Sequence, residues 1–130
     1  MTPVRVLRYL WALPTTALGL MLAPLAVVTG GGLQIVEGVM EVHGGAIRWL
    51  LMYATVMKGG ASAMTLGHVV LGLDRRTLEE SRAHERIHVR QCERWGPLFI
   101  PAYLLASLWQ LLRGRRPYLD NPFEREAYGW

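Results

Sequence analysis

The chain opens with a long apolar stretch, because no charged residue occurs between positions 9 and 36. The most apolar part, residues 9–28, has about the 20 residues that a helix needs to cross a bilayer. Arg5 and Arg8 precede this part, and no convincing A-x-A cleavage site follows it. The pattern therefore predicts an uncleaved transmembrane signal anchor over residues 1–29.

The alternative for this stretch is a helix buried in the core of a domain. Two internal prolines, Pro14 and Pro24, disfavour a regular soluble helix. The positive-inside rule keeps the two flanking arginines in the cytoplasm and slightly favours an extracytoplasmic location for the rest of the chain. Two arginines are too few to decide the side of the membrane, which stays open.

In the middle of the chain, polar and apolar residues partly alternate with the two-residue period of a β-strand. Residues 33–43, LQIVEGVMEVH, partly alternate between polar and apolar positions and predict a strand. Glycine pairs at 44–45 and 59–60 predict turns. Between them, residues 46–58 fit either a strand or a helix, and residues 62–72, SAMTLGHVVLG, predict another strand. Together these segments predict a short antiparallel meander.

A polar segment with strong helix formers follows and predicts a helix from about residue 77 to residue 95. Thr77 and Glu80 fit a capping box, and Gly96 followed by proline predicts the end. A second apolar run predicts a hydrophobic helix at about 97–112. This second run could span the bilayer, dip into it, or pack on the domain, and a basic cluster, RGRR, follows it.

The predicted polar helix contains the pattern H-E-x-x-H at His84, Glu85 and His88. Residues four apart lie on one face of a helix, so the two imidazoles can bind a single ion. Zinc takes nitrogen and oxygen ligands tetrahedrally, and a catalytic site needs a third protein ligand. Five residues elsewhere in the chain are candidates for that ligand: His43, His68, Asp120, Glu124 and Glu126.

Three quoted motifs, GHVVLG, HERIHVRQ and NPFEREAY, resemble a minimal form of the gluzincin-type zinc metallopeptidases. The resemblance covers about residues 60–128 and combines H-E-x-x-H with a downstream E-x-x-A. It implies an α+β domain over residues 30–130, with a short antiparallel sheet, an active-site helix and two further helices. The domain would follow the N-terminal membrane helix in the chain.

The resemblance also implies roles for individual residues. His84, His88 and Glu124 match the metal ligands, with Glu126 as the alternative third ligand, and Glu85 matches the catalytic base. This chain has Tyr128 where many relatives have an aspartate after the E-x-x-A alanine.

Further residues are expected to line the cleft or to contact the ligands rather than to bind the ion. His68 precedes the active-site helix and would line the cleft, although a partly buried strand histidine is the simpler interpretation. Gln91 and Tyr128 are candidates for orienting the ligands.

The expected function is that of a membrane-anchored zinc metallopeptidase, in which Glu85 accepts a proton from a zinc-activated water that attacks a peptide bond. Its partners would be a peptide or protein substrate, membrane lipid and, in an oligomer, further copies of the chain. Two alternatives remain open: a catalytically inactive zinc-binding interaction module of the same fold, and a two-span membrane protein without metal.

Composition narrows these functions only slightly. The 130 residues have a formal charge of +4, but no aromatic and basic residues interleave as they do in nucleic-acid platforms. Cys92 is the single cysteine, so no internal disulfide forms. If Glu124 binds the same ion as His84 and His88, residues 97–112 cannot cross the bilayer between them.

Overall fold

The computed structural model describes residues 2–53 and 63–129. Helix α1, Pro3–Val28, forms the N-terminal apolar element. Thr2 caps it by accepting a hydrogen bond from the Arg5 backbone N–H. The helix continues through Pro14 and Pro24, although neither proline can donate a backbone hydrogen bond.

One face of α1 packs against the rest of the protein along most of its length. This face carries small residues at helical spacing, namely Ala12, Thr15, Thr16, Gly19, Ala23 and Ala26, all of which are buried. Thr16 Oγ accepts a hydrogen bond of 3.0 Å from the His68 backbone N–H. One face of the helix is therefore buried against the rest of the protein. Its other side chains, including Leu7, Leu10 and Met21, are exposed, so the helix remains long and apolar enough to span a membrane.

Residues 33–43 form a hairpin rather than the single predicted strand. Strand β1, Gly32–Val36, pairs antiparallel with β2, Val39–His43. Glu37 and Gly38 have φ values of 51° and 80°, so both central turn residues are left-handed, as a type I′ turn requires. The alternation hides this break because the turn inserts two residues, which preserves the period of two.

A second hairpin replaces the strand predicted over residues 62–72. Strand β3, Ala63–Leu66, pairs antiparallel with β4, Val69–Gly72. Gly67 at the first turn position has a φ of 64°, which glycine tolerates without steric cost. His68 consequently lies in the turn and not in a strand.

The sheet has the order β1-β2-β4-β3, and β2 pairs with β4 in parallel. The predicted antiparallel meander is therefore wrong, and the sheet is mixed. Helix α2, Gly45–Tyr53, follows β2. A tight turn after β2 would make the next strand run antiparallel to it. Because helix α2 follows instead, the second hairpin can place β4 parallel to β2. The remainder of the ambiguous segment, with the glycine pair at 59–60, lies outside the described residues.

The long polar helix α3, Arg75–Trp95, confirms the predicted helix and begins two residues earlier than expected. Asp74 caps it by accepting a hydrogen bond of 2.7 Å from the Thr77 N–H. Asp74 is therefore the residue that caps the start of α3, a role that the predicted capping box gave to Thr77. Gly96, with a φ of 58°, ends the helix.

A 3-10 turn, Gly96–Leu98, leads into helix α4, Phe99–Leu112. The last helix, α5, Pro122–Tyr128, begins at the capping residue Asn121. The α+β class is therefore confirmed, with an N-terminal apolar helix and a small sheet.

Among the described residues, three apolar clusters join these elements, and two of them involve the sheet. The larger lies between α1, α2 and the sheet and contains Ala23, Ala26, Val42, Ile47, Leu51, Val69 and Leu71. The other lies between the sheet and α3 and contains Val39, Val70, Leu78 and Val89. Helix α3 is thus held against the sheet by apolar contacts on one side, which leaves its other sides for polar chemistry.

Within residues 2–53 and 63–129, two helical segments are long and apolar enough to span a membrane by length and composition, α1 and the run Arg75–Leu112 that includes α4. A signal sequence would also fit the N-terminal helix. Helix α4 itself has 14 residues, or about 21 Å at 1.5 Å per residue, which is shorter than the roughly 30 Å of bilayer hydrocarbon. Its outer side chains include exposed Leu104, Leu105, Leu108 and Trp109.

Enlarging Gly19 is expected to destabilise the fold, because a Cβ there would lie 2.6 Å from the Val69 Cβ. Overpacking of this kind costs about 1–3 kcal/mol. We expect Gly19→Leu to lower the thermal unfolding midpoint. Ala17→Leu places the same side chain on the exposed face of α1, adding three carbons instead of four, and should leave the midpoint nearly unchanged. Equal midpoints for the two variants would contradict the packing of α1 on the sheet.

Candidate metal centre

Three side chains converge between α3 and α5. His84 Nε2 lies 3.0 Å from Glu124 Oε1, and His88 Nε2 lies 2.9 Å from the same oxygen. One ligand atom from each residue lies within 4.8 Å of the other two. Glu124 and His88 are buried, while His84 is partly exposed. This group could hold a metal ion.

The sequence places these residues together through two helices. His84 and His88 are one turn apart on α3, so their rings lie side by side with centroids 4.9 Å apart. Helix α5 begins at Asn121, whose Oδ1 accepts a hydrogen bond of 2.9 Å from the Phe123 N–H. Asn121 Nδ2 also donates to Tyr103 O at 3.1 Å, which fixes the start of α5 against α4.

The charges of the ligands are coupled. Burial alone would raise the pKa of Glu124, but hydrogen bonds from His84, His88 and Tyr103 outweigh it and lower that pKa to about 2. Burial opposes a positive charge on His88, yet the hydrogen bond and negative charge of Glu124 raise the pKa of His88. Glu124 is therefore ionised at neutral pH, as a carboxylate ligand must be.

Gln91 orients His88 through Nδ1, the ring nitrogen that does not contact Glu124. Gln91 Oε1 lies 2.8 Å from His88 Nδ1, so the carbonyl accepts the Nδ1–H and leaves Nε2 directed towards Glu124. Gln91 Nε2 donates to Phe123 O at 2.9 Å and to Glu126 Oε1 at 2.7 Å. Glu126, the alternative third ligand, is thus engaged by Gln91, and the structure brings Glu124 to the histidines instead.

Glu85 lies on the inner side of α3 and is 5% exposed. Its Oε2 accepts a hydrogen bond of 2.8 Å from Thr65 Oγ, a residue of β3. Burial raises the pKa of Glu85, although the nearby histidines and the Thr65 hydroxyl partly oppose the shift. A carboxylate with a raised pKa, next to residues that could hold a metal ion, is suited to accepting a proton near neutral pH.

Three tyrosines surround the ligands. The Tyr103 hydroxyl donates to Glu124 Oε2 at 2.5 Å, so both oxygens of that carboxylate are engaged. The Tyr128 ring packs against His84 with a centroid distance of 4.3 Å. The hydroxyls of Tyr118 and Tyr128 are 3.0 Å apart. Tyr128 therefore contacts a ligand ring at the position where many gluzincins have an aspartate.

A cleft of about 230 Å³ opens beside the group. Its floor contains Glu85, His88 and Glu124, one wall is strand β3, and the other wall is the first half of α4. Strand β3 is at the edge of the sheet, and an edge strand has backbone groups that can pair with an added strand. Both walls are mainly apolar, with Met64 and Leu66 on β3 and with Phe99, Ile100 and Leu104 on α4.

The remaining predicted residues lie elsewhere. His68 is buried against Tyr9, with ring centroids 3.8 Å apart, and its Nε2 donates to Glu93 Oε2 at 2.8 Å. His68 therefore does not line the cleft, because the β3–β4 turn lies against α1. Asp120 accepts hydrogen bonds from Arg116. His43, at the end of β2, pairs with Gly32.

Two residues at the site escaped the sequence interpretation. Tyr103 lies in an apolar helix and Thr65 in a strand segment, and neither has a motif that identifies it. A phenol within an otherwise apolar run was the available indication for Tyr103, since buried hydroxyls usually have hydrogen-bond partners. Thr65 gave no such indication.

Comparisons of this chain with protein-family models, with curated proteins and with solved structures find no match. The likeness to gluzincins therefore remains one of motifs. The geometry of the chain itself shows that His84, His88 and Glu124 form a group that could hold a metal ion.

Proposed function

We propose that the chain is a zinc-dependent metallopeptidase anchored to a membrane by α1. The observation that carries this proposal is the position of Glu85. It is a buried carboxylate next to a three-residue ligand group, and it faces a cleft bounded by an edge strand. A purely structural metal site would have no use for that carboxylate.

Zinc is the ion that suits this donor set. Two imidazole nitrogens and one carboxylate oxygen are the ligands of several catalytic zinc sites, and such sites keep a further position open. Among the described residues, no fourth histidine, cysteine or acid joins the group. Structural zinc sites, in contrast, close four positions with protein ligands.

When bound, zinc would supply a Lewis acid that lowers the pKa of a water and polarises a substrate carbonyl. Glu85 would act as the general base and then the general acid, since its carboxylate could accept a proton from the attacking water and donate it to the leaving amine. Thr65 holds the Glu85 carboxylate through its hydroxyl. Gln91 accepts the Nδ1–H of His88, so Nε2 is the nitrogen that would bind the ion.

The substrate lies along β3 as an added strand, with its main chain paired to the edge that has no partner strand among the described residues. An apolar side chain enters the cleft, because the walls above Glu85 are formed by Met64, Phe99 and Leu104. Peptide bonds flanked by large apolar residues are thus the preferred class of substrate. The outer face of α4 is itself apolar, so such substrates can approach along a membrane surface.

Hydrolysis should depend on metal. We expect zinc-loaded protein in detergent to cleave internally quenched fluorescent peptides with apolar residues at the scissile bond. A chelator such as 1,10-phenanthroline should abolish cleavage, and added zinc should restore it. Cleavage that persists in chelator, or zinc-loaded protein that cleaves no member of such a peptide library, would contradict the proposed function.

A further inference from the structure

A second cavity, separate from the candidate metal centre, lies on the opposite side of α3. It has a volume of about 170 Å³ and is lined by Arg5 and Tyr9 of α1, Glu37 and Val39 of the first hairpin, His68, and Arg86, Val89, Arg90 and Glu93 of α3. Arg86 and Arg90 each follow a histidine ligand by two positions, which places them about 200° around the helix from those ligands. The metal centre and this cavity therefore face different directions.

Arg86 has unused donors at this cavity. Its Nη2 donates to Val36 O at 2.9 Å and to Glu41 Oε2 at 3.1 Å. Its Nε and Nη1 are buried and have no hydrogen-bond partner among the described residues. Burying N–H groups without partners is costly, so an acceptor from outside the chain would stabilise them.

His68 closes one side of the cavity, but its remaining ring nitrogen is an acceptor in the neutral ring and supplies no donor to an anion. The ring is only 5% exposed, is stacked on Tyr9, and donates from Nε2 to Glu93. Its Nδ1 is buried and likewise has no partner in the part of the chain that the structure describes. Tyr9 is itself fixed, because its hydroxyl donates to Gly38 O at 2.6 Å.

The balance of charge at the cavity favours an anion. Three arginines line it, against two glutamates, and one of the glutamates, Glu93, is bound by His68. Glu41, behind Arg86, is also bound by Arg82 through hydrogen bonds of 2.9 and 2.8 Å. Arg5 and Arg90 are exposed at the rim and free to turn towards a ligand. Guanidinium groups converging from two elements match a tetrahedral anion with several acceptor oxygens.

We propose that this cavity, bounded by the start of α1, the β1–β2 turn and the outer face of α3, binds a phosphate group. Arg86 supplies the buried donors, and Arg5 and Arg90 close over the ligand from the rim. The phosphate comes either from a lipid headgroup or from free phosphate. Arg5 lies at the N-terminal end of α1, whose outer side chains include exposed Leu7 and Leu10. A membrane in contact with those side chains would hold its headgroups level with Arg5.

The test uses the full chain in neutral detergent and compares two double variants. Arg5→Gln with Arg90→Gln removes the rim charges. Arg8→Gln with Arg75→Gln removes the same charge from the same two helices, at exposed positions that do not line the cavity. Neither variant alters Arg86 or its bonds to the hairpin, so both should fold, and circular dichroism checks this.

Binding is measured by calorimetric titration with inorganic phosphate against chloride of equal ionic strength. Lipid binding is measured by purifying the protein from mixed micelles of the detergent with phosphatidylglycerol or with phosphatidylcholine and counting the lipid that remains bound per chain. We expect wild type to bind one phosphate per chain, or to prefer phosphatidylglycerol. The first result identifies free phosphate as the ligand, and the second identifies the lipid headgroup. The Arg5/Arg90 variant should bind about tenfold or more weakly, since two charge-assisted contacts are lost. The Arg8/Arg75 variant should match wild type.

The proposal is overturned if wild type binds neither inorganic phosphate nor phosphatidylglycerol above the chloride and phosphatidylcholine baselines. It is also overturned if both double variants weaken binding equally, because the effect would then be one of net charge. Neither readout depends on zinc or on hydrolysis. Failure here leaves the proposed peptidase intact, and an inactive peptidase would leave this site standing.

Discussion

Replacing Glu85 with glutamine is expected to reduce peptide hydrolysis by about 10²- to 10⁴-fold, the range typical for loss of a general base. Glutamine has nearly the same shape and can keep a hydrogen bond to Thr65. It cannot accept a proton from water. The three ligands are unchanged, so zinc binding should remain close to that of wild type. The two measurements are kcat/KM on the best quenched peptide and the zinc content of the same sample.

The matched control for this variant is Glu79→Gln, an exposed glutamate on the same helix. It makes the same chemical change six residues away and should keep full activity. A Glu85→Gln protein that cleaves as fast as wild type would remove Glu85 from the mechanism. Loss of zinc from Glu85→Gln would show instead that this carboxylate supports the ion.

Replacing Glu124 with glutamine is expected to weaken zinc binding by more than about 100-fold. Loss of a partner that only supports a ligand already costs about 10- to 100-fold, and Glu124 is proposed to be a ligand itself. Glu126→Gln makes the same substitution two residues away, where the carboxylate accepts a hydrogen bond from Gln91. It should weaken zinc binding by no more than about 10- to 100-fold. Competition titration against a chromophoric chelator measures both affinities.

The reverse order of affinities would make Glu126 the third ligand. It would also require α5 to turn relative to α3, because Glu124 and not Glu126 now faces the histidines. Equal affinities in wild type and both variants would mean that zinc binds away from this group.

The sequence predicted the candidate site better than it predicted the sheet. A helix has a fixed geometry, so the spacing of His84 and His88 determined their common face. The meeting of α5 with α3 is a tertiary contact that no local pattern encodes. The E-x-x-A motif, through a family resemblance, singled out Glu124 from the five candidates, and the structure places its Oε1 within 3.0 Å of both imidazoles.

The hairpins were missed for a local reason. Two-residue turns preserve the alternation of side chains, so residues 33–43 appear as one strand even though the chain reverses at Glu37. The buried face of helix α1 was missed for a different reason. Its composition suits a bilayer, but its stripe of small residues, centred on Gly19, also lets it pack closely against β4. Hydropathy does not distinguish these two environments.

The central claim is that His84, His88 and Glu124 bind one zinc ion. It is tested most directly by the metal content of the wild-type protein, purified in detergent without added chelator, together with its zinc X-ray absorption spectrum. The account predicts about one zinc per chain, bound by two imidazoles and by oxygen, with no sulfur ligand. Protein that holds no zinc even after reconstitution, or zinc bound without imidazole, would contradict it.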